Sequence, residues 1–67
     1  TFYDFVNDYR IHHAKLLLHS TDDTLDTIAM KSGFNSLSTF RRAFQQREGK
    51  SPIEFRASNG KNSVSND

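Results

Sequence analysis

With sixty-seven residues, a net charge of +1 and no cysteine, the chain has room for one small domain, and its core has no disulfide or thiolate-bound zinc to reinforce it. No run approaches the roughly 18 apolar residues of a membrane span, and no charged-then-apolar leader opens the sequence, so a membrane contact by this segment is not expected and a cytoplasmic location is. The first residue is Thr rather than Met, which points to a segment of a longer polypeptide.

Thr1 with Asp4 three residues on is a capping-box pattern, so a first helix should begin at once and run to about His19, roughly 28 Å at 1.5 Å per residue. Phe2, Phe5, Val6, Tyr9, His13, Leu16 and Leu17 share one side of it. Ile11, Ala14 and Leu18 form a second apolar strip beside them. A surface helix needs one such stripe. Two stripes imply two neighbours, of which this chain supplies one, so Phe2, Phe5 and Tyr9 should remain partly exposed.

After the polar connection Ser20 to Asp23, Thr24 is a good N-cap and Asp26 lies where the helix dipole favours an anion. The helix from Leu25 to Ser32 should bury Leu25, Ile28 and Ala29, and Gly33 should end it in a left-handed conformation. Asn35-Ser36 leads into the next helix, with Ser36 as N-cap and Gly49 past its end. Phe40, Ala43 and Phe44 fall on one side of that helix, with Leu37 at their edge. Ser38, Arg42 and Gln45 fall on the other, flanked by Asn35, Thr39, Arg41 and Gln46, with no acidic residue among them. A helix carrying Arg, Gln, Asn, Ser and Thr, set at a fixed angle by a glycine-containing turn, has the donors needed to enter a DNA major groove.

Ser51-Pro52-Ile53-Glu54 places an N-cap, Pro at N1 and Glu at N3, predicting a short helix through about Arg56 with Phe55 folded onto the core. Residues 57–67 are polar and aperiodic and read as a disordered tail with no function of its own, which leaves residues 1–56 as the folded unit.

Charge is unevenly placed. Residues 1–30 carry two basic against five acidic side chains, whereas residues 31–56 carry Lys31, Arg41, Arg42, Arg47, Lys50 and Arg56 against Glu48 and Glu54. The positive side chains thus sit on and just after the proposed reading helix, where phosphates would be met, although an ordinary solvated helix face can look the same. His12, His13 and His19 do not form a metal set, because no pair lies at i, i+4 and His12 and His19 are two turns apart. No nucleophile is paired with a base and no glycine-rich phosphate loop is present, so neither catalysis nor a cofactor is expected.

The series Arg10, Ala14, Leu17-Leu18, Ile28-Ala29, Gly33-Phe34, Phe40, Phe44, Gly49, Ser51-Pro52 and Phe55-Arg56 resembles the C-terminal half of the DNA-binding domain of AraC/XylS-type bacterial transcriptional regulators. The resemblance implies an all-α fold: a long linker helix, a helix-turn-helix of homeodomain-like tri-helical arrangement, and a short C-terminal helix. It implies a second reading helix over Ser36 to Arg47, with base-edge contacts from Leu37, Ser38, Thr39 and Arg42. Asn35, Ser36 and Arg41 would lie close to phosphates, and Lys31 and Lys50 are further candidates for that role. It also implies a first helix-turn-helix unit and a sensor or signalling domain upstream. Two positions depart from the family pattern. Ser32 replaces a common apolar residue before Gly-Phe, which should loosen the turn, and Glu48 puts a carboxylate at a helix C-terminus, unfavourable by a few tenths of a kcal/mol.

Two functions fit these residues. One is sequence-specific binding of double-stranded DNA for transcription control. The other is a helical interaction module whose polar face meets a protein, through an RNA polymerase contact or dimerisation, without reading bases.

Overall fold

Four helices form among the described residues because a Thr or Ser stands ready before each to occupy an orphan amide. The computed structural model describes residues 1–59, arranged as α1 (Phe2–Ser20), α2 (Leu25–Lys31), α3 (Leu37–Glu48) and α4 (Pro52–Asn59). Thr1 accepts from the Asp4 amide in a full capping box, Thr24 from Thr27 and Ser36 from Thr39. Ser51 accepts from the Glu54 amide at 3.2 Å while the Glu54 carboxylate accepts from the Ser51 amide at 3.0 Å. Each such cap stabilises its helix by about 1 kcal/mol.

Gly33 and Gly49 have φ of +96° and +79°, the left-handed conformation that ends α2 and α3 without a Cβ penalty. Gly33 has a second constraint, since a Cβ there would stand 3.0 Å from Nε of Arg10. Five residues, Ser32 to Ser36, join α2 to α3, a longer turn than the simplest helix-turn-helix uses. Contrary to the expected loosening at Ser32, the turn is closed by main-chain bonds from Gly33 to Met30 and from Phe34 to Ala29. The Ser32 hydroxyl is buried and finds no partner among the described residues.

The core gathers Ile11, Ala14 and Leu18 of α1, Ile28 and Ala29 of α2, Phe34 of the turn, and Phe40, Ala43 and Phe44 of α3. A ladder of rings runs through it, Phe34 to Phe40 to Phe44 to Phe55, with centroids 5.4, 5.7 and 5.5 Å apart. These are tilted and edge-on pairs, the geometry that ring quadrupoles favour. Of the two apolar strips on α1, the narrower one is inside. Ala14, the small residue at its centre, lets the other helices approach closely, and Phe2, Phe5, Tyr9 and Leu16 are left 80, 70, 68 and 54% exposed.

α4 continues to Asn59, three residues beyond the expected end at Arg56, so Ala57 to Asn59 belong to the helix and not to a tail. No Gly or Pro interrupts it there, and the Ser58 hydroxyl donates back to the Glu54 carbonyl at 3.0 Å. The remainder of the expected disordered tail lies outside the described residues. Among the described residues, no helix is long and apolar enough to cross a membrane.

Candidate functional site

α3 is pinned by Phe40 and Phe44, both fully buried, so its opposite side has only one direction to face. Ser38, Thr39, Arg41, Arg42, Gln45 and Gln46 are all exposed, as are Asn35 and Ser36 before them. Leu37 is half-buried and packs against the core, so it offers an edge rather than a whole side chain. The Ser36 hydroxyl accepts from the Thr39 amide and donates to the Thr39 hydroxyl at 3.0 Å, which commits it to the cap. Thr39 keeps its own proton to donate outward.

The basic side chains separate into two kinds. Arg47, counted by position with the reading helix, turns back to α1, where Nε donates to Asp8 Oδ1 at 2.6 Å and Nη2 pairs with Asp4 at 3.5 Å. Lys31 pairs with Asp23 at 3.0 Å, and Lys50 reaches the Ser58 hydroxyl at 3.4 Å. Lys15 pairs with Glu48 at 3.2 Å and lies over the Phe55 ring, which offsets the unfavourable carboxylate at the end of α3. Arg10 lies over the Phe34 ring. Arg56 donates to the carbonyls of Leu18, Thr21 and Asp23 at 3.3, 2.9 and 2.9 Å, tying the α1–α2 connection to α4. Arg41 and Arg42 remain. Among the described residues they are the two Lys or Arg side chains with no ion pair, hydrogen bond or ring contact.

The α3 face therefore presents two guanidiniums, two carboxamides and two hydroxyls, with no carboxylate from Asn35 to Arg47. Such a face can donate to phosphates and to base edges at once. On the far side, hydrogen bonding with the Thr1 side chain and, to a smaller extent, the charge of Arg47 hold the Asp4 carboxyl below its ordinary value.

Sequence reasoning missed two structural roles, those of Arg47 and Arg56. Their partners lie 33 to 43 residues away, and for Arg56 they are main-chain carbonyls, which carry no residue-type signal. The histidines occupy separate positions on α1, and among the described residues no group of three His, Cys, Asp or Glu is placed to hold a metal ion.

Residues 1–58 match a protein family described as a helix-turn-helix domain. The chain is 42% identical over 55 residues to an uncharacterized HTH-type transcriptional regulator of Staphylococcus aureus (strain COL), a match covering 82% of this chain and 7% of that protein. It is also 42% identical over 52 residues to the uncharacterized HTH-type transcriptional regulator YisR of Bacillus subtilis (strain 168), covering 78% of this chain and 18% of that protein. No solved structure matches. The chain thus spans less than a fifth of the length of these relatives.

Proposed function

We propose, from the premise that this chain belongs to the AraC-type helix-turn-helix family, that α3 enters the major groove of double-stranded DNA and takes part in bacterial transcription regulation. One observation carries the reading: among the described residues, the two basic side chains without a partner, Arg41 and Arg42, are consecutive on the exposed side of α3, which has no acidic residue. Arg42 reads a guanine through O6 and N7, a pairing that discriminates by about 1–3 kcal/mol. Ser38 and Thr39 donate to neighbouring base edges, and Leu37 supplies an apolar edge. Arg41 and Asn35 meet phosphates, joined by the main-chain N–H of Ser36, whose hydroxyl is held in the cap. Lys31 and Lys50 contribute less, since each must leave a present partner to do so.

The role is one of binding rather than catalysis, carried out in the cytoplasm. The exposed strip of Phe2, Phe5 and Tyr9 supports a further element of this reading, an upstream first helix-turn-helix unit packed on the N-terminal half of α1. A sensor or signalling domain and an RNA polymerase contact complete the proposed assembly.

Duplex binding as a function of salt tests the proposal. Affinity should fall steeply with salt, with a log–log slope of about −0.9 for each phosphate neutralised. The chain alone should bind weakly, with non-specific dissociation constants of about 10⁻⁴ to 10⁻⁶ M. Arg42→Ala should leave the fold intact and reduce binding in a manner that depends on the DNA sequence. Salt-independent binding, unaffected by Arg42→Ala, would transfer the face to a protein partner.

A further inference from the structure

We infer that Gln45 is a third base-reading residue, selecting an adenine one or two base pairs from the guanine taken by Arg42. The inference rests on α3 being a major-groove helix and extends that reading to a residue outside the set of base contacts given above.

At about 100° per residue, Ser38, Arg42 and Gln45 lie within an arc of about 60°, centred almost opposite the buried side of Phe40, Ala43 and Phe44. Thr39 and Arg41 sit farther round, about 100° from the Phe40 direction, so Gln45 points more directly outward than either. Gln45 is exposed, and its side chain makes no bond to another described residue. The Thr39 hydroxyl, by contrast, already accepts from Ser36.

The strip also has the right length. Three residues of helix rise about 4.5 Å between Arg42 and Gln45, against a base-pair step of about 3.4 Å. From Ser38 to Gln45 the rise is about 10.5 Å, or about three steps. With α3 lying along the groove, side chains on this line are spaced to meet successive base pairs rather than to compete for one. The chemistry selects the base. A carboxamide has a donor and an acceptor side by side, so its N–H donates to adenine N7 while its carbonyl accepts from the N6 amino group. Guanine presents two acceptors on the same edge and cannot satisfy both. Gln46, one residue on, is turned about 100° away from Gln45 toward the flank of the groove.

The test is a selection from randomised duplexes with the intact protein, followed by titration of single-base variants of the selected site, for Gln45→Ala, Gln45→Glu and Arg42→Ala beside the wild type. Gln45→Ala should lower discrimination about 5- to 150-fold at one adenine and leave the guanine preference in place. Gln45→Glu should move the preference at that same position to cytosine, whose N4 amino group a carboxylate accepts from. If Arg42→Ala flattens one position and Gln45→Ala flattens none, the inference on Gln45 is overturned and the groove reading survives. If neither variant alters any position, both fall together.

Discussion

α1 and α3 each turn one long face to solvent, and the two faces have opposite chemistry. The outer side of α3 is hydroxyl, carboxamide and guanidinium, all of which water solvates at no cost. The N-terminal half of α1 shows water a strip of Phe2, Phe5 and Tyr9, each more than two-thirds exposed, with Leu16 continuing it. Single exposed apolar residues are ordinary on a protein surface, but an aligned aromatic strip marks an interaction site. One face is complete in water and suits a polar, anionic partner, while the other has the composition of an interior. Exposure alone does not identify a binding surface, and the chemistry of what is exposed separates two kinds.

Both faces depend on one core, and the strongest way to break the contrast is to remove that support. Phe40→Ala should destabilise the domain by about 3–5 kcal/mol, a large part of what so small a core provides, and abolish DNA binding with it. A denaturant titration followed by helical circular dichroism checks this, and retained binding would mean that α3 holds its face without the phenylalanine ladder. Arg56→Met sharpens the contrast from the side of the connection. It removes three charge-assisted bonds to carbonyls and should cost about 1.5–3 kcal/mol, visible as a lower midpoint of thermal unfolding. The smallest effect belongs to the aromatic strip. Tyr9→Ser should change the stability of this chain by no more than about 0.5 kcal/mol, and a loss of several kcal/mol in the same titration would place Tyr9 inside the fold.

How far each of these features could be read from the sequence depends on the range of the forces that create it. The caps at Thr1, Thr24, Ser36 and Ser51, and the left-handed glycines at 33 and 49, are settled within four residues, so residue type and spacing suffice. The outward face of α3 was equally legible, because Phe40, Ala43 and Phe44 leave it one orientation. The first helix carried two apolar strips, and the exposure of Phe2, Phe5 and Tyr9 follows from there being one strip more than this chain can cover, whereas the depth at which Ile11, Ala14 and Leu18 are buried depends on where α2 and α3 cross the helix. The Arg47 ion pair with Asp8 has the same dependence, as does the Lys15 pair with Glu48, since each joins residues set side by side only by helix packing. The charge census along the chain therefore overstated the free positive charge beside α3. The end of α4 was misplaced for a local reason, as the polar run after Arg56 lacks periodicity yet contains no residue that stops a helix before Gly60.

The solitary state of Arg41 and Arg42 has a kinetic consequence. Among the described residues neither guanidinium has a carboxylate to leave, so meeting an anionic surface requires only that two flexible chains be ordered, about 0.5–1.5 kcal/mol each, with no exchange of those internal bonds. Arg47 would first have to part from Asp8. Encounter through α3 should accordingly proceed in a single phase, its rate governed by long-range attraction and not by a preceding rearrangement.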